Sequence, residues 1–288
     1  MKNINIFCFG FGQVAKNFIK KLNLENFDIK LSITSRKNTN IGKFDTIDYT
    51  SFRLEGDNFD PNINTEIEKA NYILVSIPPV NGTDLVIKNF SKMIERSGAS
   101  WVTYLSATSV YGDHKGQWVD ENTIAKPSSL RGLDRLKVEK LWMSFYSKNK
   151  IPIQIFRLSG IYSNERNTLT RLKSNDAKII NKKDQFFSRI HVEDIANILF
   201  KSLLKFKSGE IYNLSDDKPS SSKEITLYGA KMLNIENIEV HTIKSEMLKN
   251  FYNESKKVSN KKVKNYFNYN LMFPSYIEGL NYIRDNFM

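Results

Sequence analysis

The sequence predicts an α/β protein, a doubly wound parallel sheet carrying a smaller C-terminal lobe. Three observations lead there. Up to residue 215, short apolar runs bounded by turn residues alternate with amphipathic helical segments. The first run, "INIFCFGFGQVAKNFIKKL", passes from a strand through glycines into a helix. Beyond residue 215 the alternation loosens and short segments dominate.

In order, strands are expected at 3–9, 28–34, 71–76, 101–106, 152–157 and 210–214, with a weaker one at 47–54. These runs are apolar, rich in β-branched and aromatic residues, and short; "ILVSIPP" is stopped by paired prolines. Helices are expected near 13–22, 83–96, 128–148, 191–205, 221–233 and 275–287, where apolar residues recur at helical spacing. "RIHVEDIANILFKSLL" places Glu193 and Asp194 in a first turn, where the helix dipole favours acids. Residues 1–160 plus 190–215 are read as the sheet domain, and 161–189 plus 216–288 as the smaller substrate-binding lobe.

Composition narrows the function. Apolar residues make up 40% and charged residues 26%, ordinary for a folded globular chain. One cysteine, Cys8, rules out an internal disulfide and points to a reduced, cytoplasmic setting. No apolar stretch approaches the ~20 residues of a membrane span, so no membrane partner is expected. Three scattered histidines and one cysteine make no metal-ligand spacing. The net charge of +12 comes with abundant Asn and Ile throughout, and no base-reading motif accompanies it, so nucleic acid is not the expected partner. The densest basic run, "SKKVSNKKVKN" at 255–265, reads as a solvated face. A general attraction for anionic small molecules remains.

The strongest motif is Gly10-Phe11-Gly12-Gln13-Val14-Ala15, a G-x-G-x-x-A pattern between strand and helix. Gly10 permits the turn, Gly12 lets the backbone approach a pyrophosphate at the helix N-terminus, and Ala15 allows close helix–strand packing. A Rossmann-type dinucleotide site follows, with the backbone of residues 10–14 against the cofactor. At the end of the second strand an NAD site would carry an acid; here Thr34-Ser35-Arg36-Lys37 stands instead. Arg36 and Ser35 suit a ribose 2′-phosphate, so NADP(H) is favoured with NAD possible. Ser76, Ile77 and Pro78 end the fourth strand on the edge that faces the ligand crevice.

The stretches "VSIPP", "VYGDHKGQWVDE", "RGLDRLKVEKLW", "FRLSGIY", "RIHVEDIA", "IYNLSDDKP" and "FPSYIEGL" span nearly the whole chain. Together with the glycine loop they resemble the extended short-chain dehydrogenase/reductase superfamily of epimerases and dehydratases, and within it an atypical, YeeZ-like branch. The resemblance implies an NAD(P)-binding domain and a substrate lobe. It also implies a catalytic Ser or Thr after the fifth strand, with Tyr-x-x-x-Lys opening the next helix.

All three of those positions are altered. Alignment on Val110-Tyr111-Gly112 puts Ala107 at the hydroxyl position, between Ser106 on the cofactor side and Thr108. Alignment on Gly132 puts Arg131 at the tyrosine and Arg135 at the lysine. Tyr111, with His114 and Lys115 nearby, is the alternative proton donor, and Thr108 the alternative hydroxyl. Arg131 and Arg135 are four apart, hence on one helix face, and can bind an anion or stabilise developing negative charge. Arg189 is the substrate-lobe residue best suited to an anion, and His191 reads as structural. The chain is therefore expected to be an NADP(H)-dependent oxidoreductase or epimerase-like enzyme on an anionic small-molecule or nucleotide-linked substrate. The alternative is a catalytically silent NAD(P)-binding sensor.

Overall fold

The computed structural model describes residues 3–174, 176–177, 185–238 and 254–288. The chain divides into two compact units: Met1–Ser106, Asp134–Arg157 and Ile195–Ile211 form the first, and Ala107–Leu133, Leu158–Asp194 and Tyr212–Met288 the second. Residues 107–133, placed with the sheet in the sequence reading, group with the second unit.

In chain order the elements begin with β1 (Asn3–Phe9), α1 (Gln13–Leu24), β2 (Asp28–Ser35), β3 (Asn40–Phe44), β4 (Ile47–Glu55) and β5 (Asn58–Phe59). There follow α2 (Asn62–Lys69), β6 (Tyr72–Val75), α3 (Leu85–Ser97), β7 (Trp101–Ala107), a 3₁₀ turn at Thr108–Tyr111, β8 (Trp118–Val119) and α4 (Leu130–Asn149). Next come β9 (Ile153–Leu158), β10 (Gly160–Tyr162), α5 (Thr168–Lys173), β11 (Arg189–His191), α6 (Val192–Leu204) and β12 (Glu210–Leu214). The last are α7 (Ser222–Met232), β13 (Lys257–Val258), α8 (Lys261–Phe267) and α9 (Tyr276–Phe287).

The first unit is a Rossmann-like α/β structure on a mostly parallel sheet. Its order runs β9-β7-β6-β1-β2-β4-β3, with the first residues of β12 beyond β9. β1 pairs in parallel with β2 on one side and β6 on the other. The chain thus moves outward from β1, then returns to its other side at β6, and the crevice outside that reversal is where such sheets bind ligands. β1 is apolar because both faces are covered: Ile6, Phe7, Cys8 and Phe9 are fully buried. Burial pushes the Cys8 thiol pKa well up, leaving an inert core sulfur.

One crossover departs from the alternating pattern. Between the parallel strands β2 and β4 the chain makes β3, antiparallel to β4 at the sheet edge, rather than a helix. The face so left uncovered is closed by aromatics: Phe11 packs against Phe44 at 5.3 Å and Tyr49 at 5.7 Å. A Cβ on Gly42 would meet the Tyr49 ring, so glycine is what lets the ring lie across β3.

α4 is seated by polar anchors on its buried side. Trp142 Nε1 donates to Asp84 Oδ2 at 3.0 Å, while Asp84 Oδ1 also caps α3 through Val86 and Ile87 N–H. One turn before Trp142, Glu139 receives both Nε and Nη2 of Arg157 from β9, the shortest contact being 2.7 Å. Both partners are almost fully buried. A second polar hub joins β7, β9 and α6: Trp101 Nε1 and Gln154 Nε2 both donate to Ser202 Oγ, at 3.1 and 3.0 Å.

The second unit has its own core of Tyr162, Leu169, Ile225, Tyr276, Leu280 and Ile283. α5 is held by a capping box, Asn167 accepting from Leu169 and Thr170 N–H while Thr170 Oγ1 accepts from Asn167 N–H. Asp194 does more than favour the α6 dipole. It accepts from Tyr269 Oη at 2.7 Å, Met272 N–H at 2.7 Å and Phe273 N–H at 3.1 Å, pinning the approach to α9. The basic run at 255–265 is not a solvated face: Ser255, Val258, Asn260 and Val263 are buried, and β13 pairs with β8. Lys256 is also drawn in, donating to Glu254 at 2.7 Å and to Gly112 O at 2.9 Å.

Removing one partner of the buried Arg157–Glu139 pair strands the other charge in the core. Arg157→Met should cost about 3–5 kcal/mol of unfolding free energy in urea titrations. The double variant Glu139→Leu/Arg157→Met should recover most of that loss, since no charge is left behind.

Candidate cofactor site and active-site positions

In the first unit the carboxyl end of β1 turns at Gly10. Its φ is +86°, and a Cβ there would fall 2.8 Å from Ile77 Cγ2 and 2.9 Å from Ser76 Oγ. Glycine is thus required twice, by conformation and by the close approach of the segment after β6. Gly10 N–H donates to Thr34 Oγ1 at 2.9 Å. Ser76 Oγ donates to the carbonyls of Phe9 and Gly10, at 2.9 and 3.1 Å. The Ser76 hydroxyl is therefore committed to the turn, and so is Thr34, a residue the sequence reading noted only as the missing acid.

Gly12 is different. Its φ of −82° is open to any residue, and a Cβ built on it meets no protein atom within 4 Å. Nothing in the protein itself demands glycine here; the space in front of it is open. Gly12 is the N-cap of α1, which has no side-chain cap and no acid in its first turn. Its N-terminal N–H groups face that space without a side-chain acceptor, which suits an anion. Val14 is buried, and Phe11 packs on Phe44 and Tyr49, so these two can offer a ligand only their backbone. Gln13 is half-buried, its carbonyl taken by Asn17. Pro78 is exposed and Ile77 half-buried against the core cluster.

At the end of β2, Ser35 Oγ accepts from Lys37 N–H at 3.2 Å and from Ser51 Oγ at 3.1 Å. Arg36 is exposed and makes no hydrogen bond or ion pair among the described residues. Ser106, near the end of β7, is 2% exposed, and its hydroxyl has no hydrogen-bond partner among the described residues. The neighbouring Leu105 carbonyl accepts from Arg135 Nη1 at 2.9 Å. Arg135 is half-buried and lies one helical turn before Glu139, so the anchors of α4 aim it at the carboxyl end of β7. A second feature of this unit, a cavity of about 510 Å³ lined by Asn3, Asp28, Lys30 and Glu66, lies at the opposite, amino-terminal strand edge.

The second unit holds the other positions. Tyr111 is fully buried and its hydroxyl donates to Asn213 Oδ1 at 2.8 Å. This corrects its assignment as a proton donor: the phenol is closed off and its proton is engaged in the core. Thr108 is half-buried at the start of the 3₁₀ turn. A Cβ on Gly132 would lie 2.6 Å from Ser109 O, so the start of α4 presses directly on that turn. Arg131, one residue earlier, is exposed and makes no hydrogen bond or ion pair among the described residues.

Arg189 is also corrected. Its Nη1 donates to Phe187 O, Ser220 O and Ser220 Oγ, at 3.1, 3.0 and 2.8 Å. Burial lowers its pKa, with the charge of Asp216 opposing that shift. It ties β11 to the Ser220 segment and does not stand as an open anion contact. His191 is 1% exposed, packed on Tyr162 at 5.0 Å and Phe273 at 4.1 Å. Its Nδ1 accepts from Glu193 N–H at 3.3 Å, which puts the proton on Nε2. Burial pushes its pKa down to about 4, so it is neutral at physiological pH.

That shift has a sign. A histidine whose folded pKa lies below its unfolded value of about 6.5 lends stability above that pH, and the stability is lost as pH falls toward the folded value. Relative to wild type, His191→Phe should therefore lose less stability between pH 6.5 and 4. The difference should be on the order of 3 kcal/mol by pH 4, read by urea titration at each pH. Parallel pH profiles for the two proteins would refute a buried neutral His191.

No family model matches the chain, and no curated protein does. Among solved structures it is similar to a functionally unknown conserved protein from Silicibacter pomeroyi, with 28% identity, 99% of each chain covered and a TM-score of 0.85. It is also similar to UDP-glucuronic acid 4-epimerase from Bacillus cereus in complex with UDP-glucuronic acid and NAD, at 16% identity, 99% coverage of each chain and a TM-score of 0.77. A third similar structure is dTDP-glucose 4,6-dehydratase from Bacillus anthracis in complex with NAD, at 15% identity, TM-score 0.77, covering 100% of this chain and 98% of that one. The chain has the fold of these NAD-bound epimerases and dehydratases.

Proposed function

We propose that the chain binds a nicotinamide dinucleotide at the turn from β1 into α1, prefers NADP(H), and acts as an oxidoreductase or epimerase-like enzyme on an anionic small-molecule or nucleotide-linked substrate. The observation that carries this reading is the open space before Gly12 at the uncapped end of α1. A glycine that the protein's own packing does not need, set where helix N–H groups converge, fits a cradle for a pyrophosphate. Backbone groups of residues 10–14 would hold the diphosphate. Ser76 and Thr34 would keep the turn in shape, and Arg36 would face the adenosine ribose.

The cofactor, when bound, supplies hydride transfer; the chain supplies placement and charge. Arginine side chains stay protonated across the physiological range, so Arg131 and Arg135 do not serve as acid or base. Arg135 keeps N–H donors beyond the one on Leu105 O, for a carboxylate, a phosphate or charge developing on a substrate oxygen. The unpartnered hydroxyl of Ser106 sits beside that carbonyl. The nucleotide-sugar ligands of the similar epimerases, together with the motifs shared with the YeeZ-like branch, support a nucleotide-linked substrate.

A second reading, a silent cofactor-binding sensor, is favoured by one observation: Tyr111, the alternative proton donor, is sealed in the core. Tight cofactor binding without turnover of any carbonyl or sugar nucleotide would select it.

Calorimetry should show NADPH binding more tightly than NADH, with Arg36→Asp reversing the order. Equal affinities in the unmutated protein would remove the NADP assignment. Gly12→Val should fold normally, because its side chain meets open space, yet bind neither cofactor; retained binding would reduce the motif to a plain turn. Arg135→Ala should weaken cofactor or anionic-substrate binding by roughly tenfold, the value of one charge-assisted contact, while the protein remains folded.

A further inference from the structure

A second arginine stands next to the end of β2 and was not among the candidates read from the sequence. In the β2–β4 register Ser35 is opposite Arg53, and Ser51 Oγ, on the same face two residues earlier, donates to Ser35 Oγ at 3.1 Å. The segment after Ser35 carries Arg36 and Lys37 and then folds back onto β4. Thr39 Oγ1 accepts Arg53 N–H at 3.1 Å and donates to Asp60 Oδ2 at 2.6 Å. The segment bearing Arg36 is thus fastened at both ends beside Arg53.

The Arg53 guanidinium is only partly satisfied. Nη2 donates to Glu55 Oε2 at 2.8 Å, an ion pair with side chains 37% and 55% exposed. Nε is shut off from solvent and has no acceptor among the described residues. A solvated pair of this kind is weak, whereas an arginine meeting a phosphate dianion makes shorter, bidentate bonds. The arrangement has a cation that a stronger anion can draw away from Glu55.

We propose that Arg53 is a second cation for the 2′-phosphate of NADP(H), and that Glu55 is its internal competitor. The proposal rests on the cofactor reading above and adds a specificity determinant to it. Arg36 meets the phosphate from the loop after β2, and Arg53 from the neighbouring strand. Glu55 holds Arg53 when no phosphate is present and yields it when one arrives. NAD(H), with a plain ribose hydroxyl, brings nothing able to displace Glu55, so the pair separates the two cofactors.

The test is a set of dissociation constants for NADPH, NADH and 2′,5′-ADP, measured by calorimetry on wild type, Arg53→Gln, Glu55→Gln and the double variant, each checked for an unchanged thermal midpoint. Arg53→Gln is expected to weaken NADPH and 2′,5′-ADP by roughly tenfold and leave NADH unaltered. Glu55→Gln is expected to tighten NADPH and 2′,5′-ADP by a few-fold, a gain that vanishes in the double variant. A wild-type protein that prefers NADPH while Arg53→Gln keeps that preference overturns this proposal alone. A wild-type protein that binds NADPH and NADH equally overturns the NADP assignment and this proposal with it. Equal weakening of both cofactors in Arg53→Gln also overturns it, since that marks a structural role.

Discussion

The carboxyl ends of β2, β1 and β6 meet at Gly10, a residue with no side chain. Its N–H binds the Thr34 hydroxyl from β2, and its carbonyl shares the Ser76 hydroxyl from beyond β6. A single added carbon would sit inside van der Waals range of Ile77 and Ser76, so the strands close only around glycine. This contact sets the direction in which the chain leaves β1, and therefore where α1 points its N-terminus. The clasp is made of neutral hydroxyls bonded to backbone, so it leaves the helix end free of a competing acid. The same geometry that closes the sheet's centre thus leaves the end of α1 uncapped, with open space before Gly12.

The seating of α4 obeys a separate logic. Trp142, Glu139 and the partners Asp84 and Arg157 lock the buried side of the helix. None of these residues occupies the positions that hold tyrosine and lysine in the resembled enzymes. The helix can therefore exchange what it presents at residue 135 without losing its orientation. That is a physical route by which a scaffold keeps its shape while the residues at one helix position vary, since function resides in the site and not in the scaffold.

Much of the sheet was legible because its code is simple. Strands covered on both faces read as short apolar runs, and β1, β2, β4, β6, β7, β9 and β12 lie where such runs stand. The major helices were equally readable from spacing. What stayed hidden depends on distant partners. α2 is only eight residues long and opens after Pro61, too short for a periodic signal. β3, with its exposed Ile41, exists because β4 supplies an antiparallel partner. The basic run at 255–265 looked solvated because charge is visible in sequence, while the alternate burial of Ser255, Val258 and Asn260 is not. At the site, glycine spacing revealed the turn, but Arg53 carries no motif; it becomes visible only through the register that sets it opposite Ser35.

The hub at Ser202 bears on the order in which the chain becomes structured during synthesis. Its hydroxyl receives Trp101 from β7 and Gln154 from β9, two buried donors about 100 and 50 residues upstream respectively. Until α6 has been made, the Trp101 indole N–H lacks its acceptor and Gln154 Nε2 has only Thr103 Oγ1, at 2.9 Å, while Trp101 stacks on Phe18 of α1 at 5.7 Å. Ribosome-bound chains that stop short of residue 202 therefore carry a sheet with an unfinished polar seam. The indole of Trp101 doubles as an intrinsic reporter of the moment that seam closes.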